Sequence, residues 1–369
     1  MRTPLLTAAL SSLAFSSSVQ ALPLEQLQLP PGYRIEIAAE VPNARQMALS
    51  PAGILYVGTR RDGRVFALQD QDGDQRYETR HTLLSGRRLP NGVTWSDGDL
   101  YLAELTRLVR LNGIDTRLDN PPEPEVLLDN LPDITHHGWK YLKRGPDGAF
   151  YFTLGAPCNV CLETDPRFAS IMRFDPASGN AAPWARGVRN SVGFAWHPED
   201  NSLWFTDNGR DHLGDDQPDD ELNRAGQGGL HFGFPFVHGD GLADPRFGAG
   251  ARALDSQAPV ALLGAHVAAL GISFYTGEQF PDTPNTSLFM AQHGSWNRSS
   301  KVGYRVMRVD TSGEKITAVT PFITGWLQGE TAWGRPVDVL VEPDGDLLIS
   351  DDKADVIYRV WYQPLNPKQ

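Results

Sequence analysis

"GILYVGT", residues 53–59, is a turn glycine followed by a run of aromatic and β-branched residues, the composition of a buried strand. The pattern returns five times, as "GDLYLAE" from Gly98, "GAFYFTL" from Gly148, "NSLWFTD" from Asn201, "TSLFMAQ" from Thr286 and "GDLLISD" from Gly345. The starts lie 45, 50, 53, 85 and 59 residues apart. Ahead of each runs a shorter apolar strand and a turn, such as "RQMALSPA" or "PVDVLVEPDG", and behind most an outer strand, such as "GRVFAL", "SIMRFD" or "VIYRVW". Repeats of about 40–50 residues suit four-stranded propeller blades, and six blades close a ring that leaves no long sheet edge exposed. The reading is therefore all-β: a single six-bladed β-propeller within residues 22–369, its first and last strands sharing a blade. Two stacked β-sandwiches are the rival. The widest interval predicts inserted loops over residues 210–260.

Composition agrees with a turn-rich chain. Among 369 residues there are 36 Gly and 28 Pro, which supply the backbone angles that turns require, and 40% apolar residues to fill a core. The opening "MRTPLLTAALSSLAFSSSVQA" has a basic start at Arg2, an apolar run and a small-residue site at Ala21, which reads as a secretory signal peptide over residues 1–21. No later stretch is apolar and long enough for a membrane helix, so the expectation is an exported protein, periplasmic or secreted. The formal charge is -12, or -13 without Arg2, which argues against nucleic acid or an anionic membrane as partner. Cys158 and Cys161, the only two cysteines, lie in "APCNVC" and suit a small-loop disulfide in an oxidising compartment. Leu162, where haem attachment needs histidine, disfavours a haem link.

In a propeller the first strand of each blade lines the axis, so the residues just before these strands converge at one mouth. Here they are Arg45, Asn91, His137, the pair Arg189 and Asn190, His266 and Arg335. Arginines, histidines and asparagines on one ring make a cationic, hydrogen-bonding mouth suited to a compact polyanion, because guanidinium forks match carboxylates two bonds at a time.

These residues resemble a family: the soluble quinoprotein glucose and sorbosone dehydrogenases, six-bladed propellers that carry pyrroloquinoline quinone (PQQ) and calcium. The match is strongest over "GVRNSVGFAWHPEDNSLWFTDNGRDHLGDDQPDDELNRAGQGGLHFGFP", Gly187 to Pro235, with its R-N pair, D-D-E-L-N run and G-x-x-F-G-F-P ending. "HGSWNRSSKVGYRV" and "APCNVC" resemble the sorbosone-type branch. The resemblance implies PQQ- and calcium-dependent oxidation of a sugar or sugar aldehyde, with a soluble electron acceptor. It implies that His137 is the catalytic base, with His136 one residue out of register. By the same match Arg189 and Asn190 lie against quinone and substrate, and Arg189 stabilises charge on the quinone oxygen. The backbone carbonyls of Gly209 and Arg210 then ligate calcium, and His293 and Arg335 bind the cofactor. Where glucose-type members carry a second cofactor arginine this chain has Val337, leaving Arg45, Arg298 or Lys301 to supply part of its charge. Asn91 and His266 join the cofactor set by their ring position, and Trp296 is a candidate for stacking on the quinone and equally a structural tryptophan.

Independently of the family, a planar tricarboxylate quinone needs arginines, and a sugar hydroxyl releases hydride only as its proton is taken, work suited to a histidine near neutral pKa. "DQDGDQRYE" from Asp70 starts like a calcium loop, but its glycine stands at position four and position twelve lacks a ligand, so a solvated turn is expected. The acid run from Asp215 to Glu221 is read as a scaffold below the calcium site at Asp219, Asp220 and Glu221. Two other functions compete: a gluconolactonase-like propeller hydrolase, whose axial metal would want acidic ligands where this ring has arginine, and a non-catalytic propeller binding module.

Overall fold

All six repeats form strands where the aromatic and β-branched runs fall, because a strand covered on both faces needs apolar side chains on both. A computed structural model describes residues 21–364, so nearly all of the segment read as an export leader lies outside the described residues. Six four-stranded antiparallel sheets make up the fold, with two short hairpins besides. Blade 1 comprises Ala44–Leu49, Leu55–Thr59, Val65–Gln69 and Thr79–Leu84. In blade 2 the strands are Gly92–Ser96, Asp99–Ala103, Leu108–Leu111 and Glu125–Leu128. Leu142–Arg144, Phe150–Leu154, Ser170–Asp175 and Asn180–Arg186 form blade 3. Phe194–Trp196, Leu203–Asp207, Asp219–Ala225 and Ala261–Ala265 form blade 4. Blade 5 holds Ala269–Phe274, Leu288–Gln292, Arg305–Ser312 and Lys315–Ile323. Blade 6 joins Pro336–Val341, Leu347–Asp351 and Val356–Tyr362 to the N-terminal strand Tyr33–Glu40, which closes the ring.

Each second strand falls on one of the six repeated motifs, and in five blades every residue of it is buried. The expected insertion lies between the third and fourth strands of blade 4, where residues 226–260 carry the hairpin Val237–His238/Leu242–Ala243 and a 3-10 turn, Gly248–Ala253. Blades are stitched across the axis by polar side chains. Gln46 donates to the Leu142 carbonyl at 2.7 Å and accepts from the Leu142 amide at 2.9 Å, tying blade 1 to blade 3. From blade 6, Asp338 accepts from the Met47 amide at 2.9 Å and from the Tyr141 hydroxyl at 3.1 Å. The loop at Asp70 is a self-capped surface turn, in which Asp70 accepts from the amides of Gly73 and Gln75, and Asp74 from that of Arg76. Among the described residues no helix is long and apolar enough to cross a membrane.

Candidate active site

Because the strands of a blade alternate in direction, the residues before each first strand and those after each second strand meet at the same end of the axis. They enclose a cavity of about 380 Å³. Of the residues expected there, Arg45, His137, Arg189, Asn190, Gly209, His266, His293, Trp296 and Arg335 line it. Leu270 and Trp139 add apolar surface to its lining, and both pack against the buried cluster of Val192 and Val337 behind it.

His137 is buried, while its neighbour His136 is exposed. Its backbone takes a positive φ of 48°, uncommon for a residue with a side chain and frequent at functional sites. Gly155 makes room for it, since a Cβ there would stand 2.6 Å from that of His137. The Nδ1 atom donates to the Ala156 carbonyl at 2.9 Å, which leaves Nε2 as the basic nitrogen. Burial first, then the Arg189 guanidinium and His136, hold His137 well below the ordinary histidine range. Lys140 secures the same loop, its buried ammonium donating to the carbonyls of Leu105 and Gly138.

On the opposite side, Arg45 pairs with Asp352 at 2.9 Å, and the other oxygen of that carboxylate meets Nε2 of His293 at 2.7 Å. Burial pushes His293 down to about 4 in spite of Asp352, helped by Arg335 and Arg45. Arg335 donates to the carbonyls of His293 and Gly294. Arg60, which the sequence reading missed, lies 3.6 Å above the ring of Trp139, and burial together with Arg45 and Arg61 pushes it down to about 10. Among the described residues, Arg60, Arg61 and Arg335 have no carboxylate partner, yet all three line one cavity. The indole N–H of Trp139 is also buried without an acceptor. Such a set calls for an anion with hydrogen-bond acceptors, because crowded like charges repel and the buried Trp139 donor is costly to leave unpaired.

Three expectations need correction. Asn91 does not reach the cavity; it lies beneath it, accepting from Nε of Arg45 at 2.9 Å and donating to the Lys140 carbonyl at 2.7 Å. Arg298 turns away towards the Asp215 carbonyl and the Asp216 carboxylate, and Lys301 is held at the Glu330 carbonyl, so neither supplies the charge missing at Val337. Arg189 has no N–H left for a quinone oxygen. Its five donors all go to protein: Nε to the Asn159 carbonyl, Nη1 to the carbonyls of Asn208 and Gly209, Nη2 to Oδ1 of Asn159 and Oδ2 of Asp211. Asn159 is set within the Cys158–Cys161 disulfide loop, so that small ring reaches the mouth.

The Gly209 carbonyl, expected as a calcium ligand, thus accepts a guanidinium N–H at 2.8 Å, and the Arg210 side chain is paired with Asp244 at 2.6 Å. Of the acids read as a scaffold, Asp220 and Glu221 bind backbone amides here. Asp220 accepts from the amides of Gly209 at 2.9 Å and Ala268 at 2.6 Å, and Glu221 from that of Gly239 at 2.7 Å. Burial and then the nearby Asp207 carboxylate push Glu221 up. An acid raised in the fold keeps a proton that the unfolded chain releases above about pH 4, so its share of stability is lost as pH rises into the neutral range. Glu221→Gln should therefore flatten the fall in Tm between about pH 5 and about pH 8. Thermal melts that keep the wild-type slope in the variant would assign that fall elsewhere.

Fold and mouth together define a six-bladed propeller with a cationic axial pocket around a neutral histidine. The chain belongs to the family described as domain of unknown function DUF7133, whose pattern spans residues 20–364. An uncharacterized protein of Borreliella burgdorferi is 32% identical over 356 residues, covering 92% of each chain. Among solved structures, a Trichoderma reesei carbohydrate-active enzyme of family AA12 superposes with a TM-score of 0.79 at 19% identity, over 91% of this chain and 98% of that one. The holo form of the pyranose dehydrogenase PQQ domain from Coprinopsis cinerea gives 0.77 at 16% identity, over 91% and 97%. The resemblance to quinoprotein sugar dehydrogenases thus stands for the fold, the all-β six-bladed propeller.

Proposed function

We propose that the chain is a PQQ-dependent dehydrogenase that oxidises a sugar or sugar aldehyde. The observation that carries this reading is the set of guanidiniums without a carboxylate partner among the described residues, Arg60, Arg61 and Arg335, in one cavity that Trp139 and Leu270 also line. PQQ, a planar tricarboxylate, fits that set. Arg60, Arg61 and Arg335 would hold its acid groups, the Trp139 N–H would meet an acceptor on it, and Leu270 would give it an apolar contact. When bound, it supplies the acceptor for a hydride from the substrate carbon.

The chain's own residues supply the proton chemistry. His137, neutral and fixed through Nδ1, takes the hydroxyl proton of the substrate on Nε2, which raises the hydride-donating power of the carbon. Positive charge from Arg189 and Arg335 favours the anion that forms as the proton leaves. Asn190 and His266 line the wall and offer hydrogen bonds to further hydroxyls, and Trp296, exposed at the rim, offers an aromatic face to a sugar ring. Calcium does not fit the Gly209 carbonyl as it stands, because Arg189 is bound to that oxygen. A soluble electron acceptor and an exported location complete the reading.

Purified protein with PQQ and a redox dye should reduce the dye with an aldose, sorbosone or a polyol. If PQQ neither binds nor supports reduction with any of them, the reading fails and a non-catalytic binding module takes its place. Arg60→Ala should weaken PQQ binding about 10- to 100-fold, the worth of a charge-assisted hydrogen bond. Since Arg60 has no carboxylate partner among the described residues, the fold should tolerate its loss, which a thermal melt checks. Arg298→Ala, outside the cavity, should leave affinity within about threefold.

A further inference from the structure

We infer that the guanidinium of Arg189 takes the place of a divalent cation beside the quinone, so that the site accepts PQQ without calcium. The inference rests on the proposed function and deepens it. Calcium asks for six to eight oxygen ligands on a flexible frame. At this corner oxygens are present, but those around Arg189 are already committed. Five of them receive the five N–H groups of one side chain: the carbonyls of Asn159 at 2.8 Å, Asn208 at 3.0 Å and Gly209 at 2.8 Å, with Oδ1 of Asn159 at 2.9 Å and Oδ2 of Asp211 at 3.1 Å.

A guanidinium has five donors, so none is left over. The side chain is 4% exposed, and water has little access to replace those bonds if it leaves. Its surroundings are fixed in turn. Asp211 donates its amide to Oδ1 of Asn159 at 2.8 Å, the Asn159 amide group donates to the Asp211 carbonyl at 3.1 Å, and Asp207 accepts from the Arg189 amide at 2.7 Å. Moving Arg189 aside for an ion would leave buried donors unpaired and dismantle this frame. Charge leads to the same conclusion: among the described residues, Arg45, Arg60, Arg61, Arg189 and Arg335 line the cavity against only two carboxylates, Asp211 and Asp220, and a further double positive charge would have to enter against that excess. The guanidinium therefore acts as a fixed positive charge that the fold supplies itself, holding the Gly209 corner in the shape the cofactor meets. With every N–H spent, Arg189 acts by field and position rather than by donating to the cofactor.

The test is calorimetric titration of PQQ into EDTA-dialysed protein, with and without millimolar calcium chloride. The expected result is binding in both, with affinities within about threefold of one another. Binding that needs calcium, by about tenfold or more, overturns the inference and leaves the proposed function standing. No binding in either condition overturns both. Arg189→Met supplies a second arm, since it frees the oxygens while keeping an unbranched side chain: calcium should raise the Tm of the variant and leave that of the wild type unchanged. An equal rise in the two proteins speaks against the inference. If the variant does not fold, the wild-type titration decides.

Discussion

His137→Ala should lower kcat/KM for the accepted sugar by about 10²- to 10⁴-fold, the usual contribution of a positioned general base, while PQQ still binds with nearly wild-type affinity. The arginines that hold the cofactor sit on other loops, and His137 contributes no charge to it. Burial, Arg189 and His136 all depress its pKa. The sign follows directly: a base whose pKa is lowered stays unprotonated as pH falls through the ordinary histidine range, near 6.5, so the rate should hold there and decline only in more acid solution. His136→Ala removes an exposed ring whose centroid lies 4.1 Å from that of His137 and should change the rate by less than about threefold. Steady-state rates across pH, with PQQ affinity measured separately, check all of this. Loss of turnover in the His136 variant alone would reverse the assignment, and an acid limb at the ordinary histidine pKa would remove the argument from burial.

The blades were legible because the same physical demand is made six times. A second strand covered on both faces must be apolar throughout, and its turn glycine marks where it starts. Half of the mouth was legible for the same reason, since Arg45 lies at the start of a first strand and His137, Arg189, His266 and Arg335 each precede one. The other half follows the second strands: Arg60 after Thr59, Asn208 to Asp211 after Asp207, His293 after Gln292 and Asp352 after Asp351. Antiparallel pairing brings these to the same rim, a consequence available from the repeat but reached from it only at Gly209, Arg210 and His293, through the family pattern. Trp139, two residues beyond His137, was not legible from spacing, because His137 sits in a turn at positive φ, where the alternation of an extended strand does not hold. What could not be read is where side chains go once a loop leaves the axis. Arg298 stands two residues from Trp296 in sequence, yet the acidic loop at Asp215 and Asp216 draws it away. Arg60 lines the cavity from a different blade than Val337, and no pattern along one strand connects the two.

Removing the closing strand should cost the protein its cooperative fold. A chain starting after Glu40 loses seven backbone register pairs with the Val356–Tyr362 strand, from Tyr33 opposite Tyr362 to Glu40 opposite Val356. It also loses Tyr33, whose ring meets Phe280, Phe322 and Tyr362 edge-on at 4.9, 5.0 and 5.2 Å, and with it one side of the cluster around Trp326 and Tyr358. The strand left exposed carries Ile357, Tyr358 and Val360, all fully buried in the intact ring, and an apolar open edge of that kind pairs with other chains. The expected outcome is aggregation during purification, or a broad melt at least about 15 °C below that of the intact chain. Thermal melts and size-exclusion chromatography distinguish these. A soluble monomer melting sharply within a few degrees of the intact protein would show that five blades and three strands hold the ring unaided, and that the shared blade is not what closes it. Because Arg45 stands just after the removed segment and pairs with Asp352 of blade 6 across the seam, loss of closure should also reach the mouth. Any soluble truncated protein should then bind PQQ more weakly than its residual secondary structure suggests.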